Sequence, residues 1–498
     1  MSQFSKTLKS FVGTSNLSIQ ALSKNSGVDR SFIHHILTGK RIPSDRAVLE
    51  NIMRALALTP SQADEIRSLY NMEKIGESLF KRNTLIKELL ENLVGFDTTP
   101  PHIPSYYKHD FTHYPAATML TGTLHINTVV KAVLEEESSK SQGFVKLIIQ
   151  PDYKFLNDIL LTLGNSGSPL QIEHVFCLQN DLKEDSENLY NITAFQSVLP
   201  LLLSCPHYES YVYYDNIGSK FNSTTLFPYL IITSDIVIAL TADYQNAALY
   251  IDEDFYDVYS DLFNNVLRRS SALAKKIIDP MDFYMQYSVY ESGASERKEG
   301  LTFTSSLFSQ PRLEYFLTDD ILKRYIIDFP RKDEILKLMI NRNHYYDEKL
   351  RSGYECTSYF TTEGLDAFWN TGLIAEIPAQ FYHPLAKEDC LILLKKLYDS
   401  ILLKSYKACI INTRKLRISE KFIISAMNEV NVFLMYKHPT NGTFHLEINE
   451  PSISMSFYQF LTLLGDSDMI YTEEETKSIL LQKIDEYENE LCKRKREA

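Results

Sequence analysis

Residues 18–41, SIQALSKNSGVDRSFIHHILTGKR, constrain the fold more than any other part of this chain. They read as a helix, a tight turn at Gly27 and a second helix closed by Gly39 and two basic residues. Ser18 can cap the first helix, and Asp29 the second, because the first backbone N–H groups of a helix lack intrahelical partners. Gly27 stands where the chain turns sharply, a place that tolerates few residues with a Cβ. Leu22, Val28, Ile33 and Ile36 supply the buried seam, and Thr38-Gly39 ends the second helix with a left-handed position. This spacing is how a small helical module presents one helix to the major groove of DNA.

The segment resembles the helix-turn-helix of the phage-repressor type (Cro/CI, also called XRE) family of bacterial and phage regulators. Leu22, Gly27-Val28, Ile33, Gly39-Lys40-Arg41 and Pro43-Ser44 carry the resemblance, which runs from about Phe4 to Tyr70. Two positions depart from the pattern: Leu37 stands where Glu is common, and Ile19 where a polar, phosphate-contacting residue is frequent. The resemblance implies a DNA-binding transcriptional regulator. It places Arg30, Ser31, His34 and His35 against base edges, and Ser18, Thr38, Lys40 and Arg41 against phosphates. Arg30 is the strongest base reader of these, since a guanidinium fits the O6/N7 edge of guanine bidentately. Lys40 and Arg41 would position the protein without specifying sequence.

Charge agrees with that reading. The chain carries a net charge of −13, yet residues 1–60 hold eight basic against three acidic residues, a net +5, leaving −18 for the rest. A basic head on an acidic body is expected when one module touches DNA and the remainder repels it.

The 498 residues leave room for about three domains. No apolar run approaches the ~20 residues that span a bilayer, and the N-terminus lacks the apolar stretch of a signal peptide, so a cytoplasmic protein is expected. The six cysteines fit neither a zinc ribbon nor a disulfide framework and read as small core residues. Beyond the head, apolar spacing continues through Ile75, Leu79, Leu85, Leu89 and Leu93, and Phe96–Pro101 then breaks the pattern and marks a first boundary. Val48, Ile52 and Leu56 are expected on one face of the fourth helix, and Ser61 is expected to cap the fifth. Expected strands are Val145–Ile149, His174–Leu178, Tyr229–Thr233, Ile236–Thr241 and Ala247–Ile251. Expected helices are Ile126–Glu137, Leu156–Leu163, Ala194–Leu203 and Phe255–Lys276. Such alternation suggests α/β layers. Ser292–Gly300 reads as a second boundary or a flexible connection.

Near the end, Phe422–Ser425, Val430–Tyr436 and Phe444–Ile448 read as strands, followed by a helix from about Pro451 to Leu464. The same order occurs from Tyr229 onward, so the body holds either two divergent copies of one unit or a chance likeness of apolar patterns. The order is similar to the closing segment of phospholipase-D-like folds, without the His-x-Lys chemistry that makes such a fold catalytic. The expected organisation is therefore an all-α head of about five helices before a large α/β (or α+β) body. It divides into a helix-turn-helix domain (1–72), a helical linker (73–100) and two sensor or assembly domains (101–295 and 296–498).

Evidence for catalysis is sparse. His109 and His113 have the i, i+4 spacing of a zinc pair, but Pro104 and Pro115 leave little room for a helix, and surface histidines are the expectation. No phosphate loop or nucleophile elbow occurs, and 17 glycines in 498 residues disfavour dinucleotide cradles. Tyrosine clusters at 106–107, 208–214 and 345–346 suit pockets, interfaces or ordinary packing. No metal, cofactor or enzymatic activity is expected. The expected partners are a palindromic double-stranded DNA operator, a second copy of the chain, and a ligand or protein effector sensed by the body. A DNA-targeted enzyme or defence effector, and a protein-interaction module built on the helix-turn-helix fold, are the alternatives.

Overall fold

The computed structural model describes residues 1–96, 111, 114–165, 168–180, 189–215, 225–279, 281–282, 285, 303–352, 355–402, 406–438 and 442–497. They form two compact units. One holds residues 1–84, and the other holds nearly everything from Leu85 onward.

The first unit is helical: α1 (Gln3–Thr14), α2 (Ile19–Ser26), α3 (Arg30–Leu37), α4 (Arg46–Ala55) and α5 (Pro60–Ile75). Phe4, Leu8, Leu22, Val28, Ile33, Ile36, Leu49, Ile52, Met53, Ile66 and Tyr70 close one small core. Helix α4 begins at Arg46 behind an Asp45 cap and buries Ile52 and Leu56 together with Leu49 and Met53, while Val48 packs half-buried against the same core. One sequence expectation is corrected here. The cap of α5 is Thr59, not Ser61: its side chain accepts from Gln62 N, Gln62 reciprocates, and Pro60 takes the first helical position, where a missing N–H costs nothing. Helix α6 (Glu77–Val94) crosses the division between the units, and its Ile86, Leu89, Leu90 and Leu93 belong to the core of the second.

The second unit is built on two mixed sheets. The first contains β1 (Ala117–Thr121), β2 (Phe144–Ile148), β3 (Gln171–Leu178), β4 (Tyr208–Tyr214), β5 (Tyr229–Ile232), β6 (Val237–Leu240) and β7 (Asn246–Tyr250), in the order β1-β7-β6-β5-β2-β3-β4. Its helices are α7 (Thr123–Ser138), α8 (Lys154–Asn165), α9 (Tyr190–Ser204) and α10 (Glu253–Leu267). Two short strands follow, β8 (Ser271–Ala272) on the outer edge of β4 and β9 (Ala274–Ile277) on the second sheet. The expected helix over Phe255–Lys276 thus stops at Leu267, and the chain becomes extended to hydrogen-bond one edge of each sheet.

The second sheet adds β10 (Phe303–Leu307), β11 (Glu355–Phe360), β12 (Tyr406–Ile410), β13 (Phe422–Ala426), β14 (Val432–His438) and β15 (Gly442–Ile448) to β9, in the order β9-β15-β14-β13-β10-β11-β12. Its helices are α11 (Asp319–Tyr325), α12 (Lys332–Arg351), α13 (Thr362–Thr371), α14 (Lys387–Leu402), α15 (Pro451–Leu464) and α16 (Glu473–Glu497). Strand for strand, this is the order of the first sheet. In each, three parallel strands (β2-β3-β4, β10-β11-β12) join an antiparallel meander through one antiparallel pair (β2·β5, β10·β13), and an earlier strand closes the far edge (β1·β7, β9·β15). The body repeats one α/β topology in two sheets. Strands β5, β6 and β13 are buried at every residue, so they read as continuous apolar runs without alternation.

The copies share one core. Phe195 on α9 meets Phe457 on α15 edge to face at 6.0 Å, Asn191 donates to Ser452 Oγ at 3.0 Å, and Tyr214 donates to the Glu450 carboxylate at 2.8 Å. The six cysteines are free thiols, and Cys177, Cys205, Cys356 and Cys390 are buried. His109, His113, Asp97–Pro101, Ser292–Gly300 and the tyrosines at 106–107 lie outside the described residues.

Candidate nucleic-acid interface

Helix α3 is held at both ends by groups that leave one of its faces clear. At its start the Asp29 carboxylate accepts from Ser31 N at 2.8 Å and Phe32 N at 3.1 Å. Replacing Asp29 by Ala removes both bonds. We expect a loss of about 1 kcal/mol, measured as earlier denaturant unfolding of a fragment of residues 1–76. Equal stability would mean that water satisfies those N–H groups without the cap.

Before the helix, Gly27 takes φ +70°, and the turn is pinned by hydroxyls: Ser23 Oγ donates to Val28 O at 2.7 Å and Ser26 Oγ to Leu22 O at 2.7 Å. At its end, Gly39 takes φ +73°, where a Cβ would also press on Met1 Cα at 3.2 Å. Ser5 Oγ on α1 donates to Ile36 O at 2.8 Å in the buried interior, anchoring the last turn. None of Ser5, Ser23 and Ser26 stands out in the sequence, because a single serine carries no spacing signal.

Ile33 and Ile36 are buried on the inner face of α3. On its outer face Arg30, Ser31 and His34 are exposed and His35 is half-buried, the two imidazoles lying edge to face at 6.3 Å. The Thr38 hydroxyl donates to His34 O at 2.9 Å and keeps acceptor capacity. Lys40 and Arg41 follow, both exposed. Ser18 is exposed and caps α2 by accepting from Ala21 N at 3.1 Å. All eight sequence-predicted residues thus belong to the α2–turn–α3 segment.

The acidic residues among the first 60 are used within the fold. Asp29 and Asp45 cap helices, and Glu50 receives Arg67 at 2.7 and 2.9 Å, a pairing that holds its carboxyl below the ordinary value. Lys6, Lys9, Lys24, Arg30, Lys40, Arg41 and Arg54 are exposed. The positive potential of the head is therefore an outward property, as contact with a polyanion requires.

Residues 3–66 match the family model of a helix-turn-helix domain. The N-terminal module is a helix-turn-helix domain, and the match takes in its first four helices and the start of α5. No curated protein matches the chain. Among solved structures, an archaeal chromatin protein, TrmBL2, described as showing a novel mode of DNA binding, is similar at 14% identity over 48% of this chain and 87% of its own, with a TM-score of 0.21. Phosphatidylserine synthase from Haemophilus influenzae Rd KW20 is similar at 10% identity over 76% of this chain and 93% of its own, with a TM-score of 0.25. Superpositions this loose define neither a shared fold nor a shared site. No described helix is long and apolar enough to cross a membrane.

Proposed function

We propose that this chain is a sequence-specific DNA-binding transcriptional regulator whose head reads an operator and whose duplicated α/β body senses an effector and assembles the protein. One observation carries the reading: within a helix-turn-helix domain, α3 buries Ile33 and Ile36 and turns Arg30, Ser31, His34 and His35 outward. In this reading those four meet base edges, while Ser18, Thr38, Lys40 and Arg41 hold phosphates. A homodimer would place two heads on the half-sites of a palindromic operator in the cytoplasm.

The test separates base reading from phosphate holding. Binding of the full chain to genomic DNA fragments at two salt concentrations selects a specific site. On that site Arg30→Ala is expected to cost about 1–3 kcal/mol and to relax the preferred sequence. Lys40→Ala is expected to weaken binding on all sequences alike and to lower the salt slope by about 1. If Arg30→Ala weakens every sequence equally, Arg30 holds phosphate instead. Absence of any preferred fragment sinks the regulatory reading.

A further inference from the structure

Helix α10 has two unlike sides. Tyr256, Phe263 and Leu267 pack on the first sheet with Leu230, Ile232 and Val237. On the other side Phe255, Val258 and Leu262 are exposed, at 39%, 67% and 46%. Their spacing puts them on one stripe of the helix. Among the described helices no other leaves three large apolar side chains in the open.

In the second sheet the corresponding helix surface is a helix contact. Helix α15, like α10, directly follows the last strand of a meander, and each begins behind an acidic cap, Glu450 and Asp252. Counted from those caps, Phe255, Val258 and Leu262 correspond to Ile453, Ser456 and Phe460, all buried. They are buried because α15 lies between its sheet and α9, with Phe457 against Phe195 at 6.0 Å and Ser452 against Asn191 at 3.0 Å. The repeated topology thus puts a helix-packing surface at this position, and on α10 that surface is apolar and open.

The charges of α10 are divided along its length. Glu253, Asp254, Asp257 and Asp261 occupy its first turns, Arg268 and Arg269 stand at its end, and all six are exposed. Among the described residues none of the six is held in an ion pair. We propose that α10 pairs antiparallel with α10 of a second copy of this chain, the apolar stripe forming the seam and the acidic start of each helix lying beside the basic end of the other. Such pairing about a two-fold axis is self-complementary. With the axis level with Ser260, Val258 of one chain meets Leu262 of the other. Arg268, about 12 Å along the helix from the axis, then comes level with Asp252 and close to Asp254 of the other chain. Parallel pairing would set acid beside acid and base beside base. Asp257 and Asp261 lie nearer the axis and oppose the contact, so the seam carries the pairing and the ends set its direction. The inference deepens the regulatory reading by naming the surface that joins two chains, and rests on that reading only for its effect on DNA binding.

The test is sedimentation equilibrium of the full chain without DNA. The parent is expected to be a dimer that dissociates on dilution. Val258→Glu with Leu262→Glu is expected to weaken association about 100-fold or more with an unchanged circular dichroism spectrum, since both side chains point outward. Arg268→Glu with Arg269→Glu is expected to weaken it about tenfold, and so is Glu253→Lys with Asp254→Lys. A mixture of these two charge variants is expected to associate more tightly than either alone, because each acidic end then meets a basic one. A parent that stays monomeric, a dimer indifferent to Val258→Glu with Leu262→Glu, or charge variants that gain nothing on mixing would each overturn the proposal. Affinity for the selected DNA fragment is then compared between the parent and the Val258→Glu, Leu262→Glu variant. Weaker binding by the variant supports both readings, whereas equal binding leaves the interface standing and overturns the reading of a palindromic operator by two heads.

Discussion

Glu314→Ala is expected to destabilise the body by about 3–5 kcal/mol, the cost of leaving buried charge without its partner. Glu314 is 4% exposed and Arg312 3%, and the Arg342 side chain is 9% exposed. Burial works against the Glu314 charge, but the Arg342 and Arg312 guanidinium groups outweigh it and hold the carboxyl below its ordinary value. Remove the carboxylate and two guanidinium groups face each other across a site from which water is largely excluded. The effect is read as the denaturant midpoint of the body transition in the full chain, with head unfolding followed separately, since two compact units need not unfold together. The triple variant Arg312→Met, Glu314→Leu, Arg342→Met checks the cause. Replacing a whole buried ionic cluster by apolar groups of similar volume is often neutral, so it should recover most of the loss. A Glu314→Ala cost under about 1 kcal/mol would place the cluster in the class of solvent-screened surface pairs and refute this account.

That cluster also shows where reading from sequence ends. Arg312, Glu314, Arg342 and Glu376 come from three separate segments with no motif spacing, and only the crossover connections of the second sheet bring them together. The helix-turn-helix is legible for the opposite reason. Ser18, Gly27, Asp29 and Gly39 act on backbone groups within a few residues of themselves, so their signal is local. The error in the head is one of phase: Ser61 in place of Thr59, because the fifth helix starts at Pro60, ahead of Ser61.

The repeated topology was visible only in its later half. There β5–β7 and β13–β15 are each three consecutive strands followed directly by a helix, α10 or α15, and local order survives divergence. The parallel halves differ too much to be matched by eye: a single helix, α8, joins β2 to β3, whereas α11 and α12 join β10 to β11. Helix Phe255–Lys276 overran because β8 and β9 are too short to show a strand period, and edge pairing, a long-range property, decides them.

Acid should loosen the body well above the range where ordinary carboxylates titrate, and His174 on β3 is the reason. It is fully buried, with Nε2 against Ile149 O at 2.9 Å and Nδ1 against the Tyr208 hydroxyl at 2.7 Å. A carbonyl can only accept, so Nε2 carries the proton and Nδ1 accepts from Tyr208. The neutral ring is thereby satisfied on both sides, and burial pushes its pKa down to about 4 from an ordinary 6.5. The folded state holds its proton less tightly than the unfolded chain, so the unfolded state gains protons first as pH falls. The contribution is fully present above about pH 6.5 and is lost between about 6.5 and 4, at about 1.4 kcal/mol per pH unit and about 3 kcal/mol in all. His445, depressed by burial to about 3, adds loss in the same direction. The check is the denaturant stability of the body at pH 7.5, 6.5, 5.5 and 4.5 in the parent chain and in His174→Gln, whose side chain does not titrate. The variant should start less stable, and the gap should close by about 3 kcal/mol across the window as the parent alone meets the cost of charging His174. Acidic groups elsewhere contribute equally to both proteins and cancel in the difference. A gap that stays constant with pH would mean that His174 is protonated as easily in the folded chain as in the unfolded one, and that Tyr208 and Ile149 do not enforce the neutral ring.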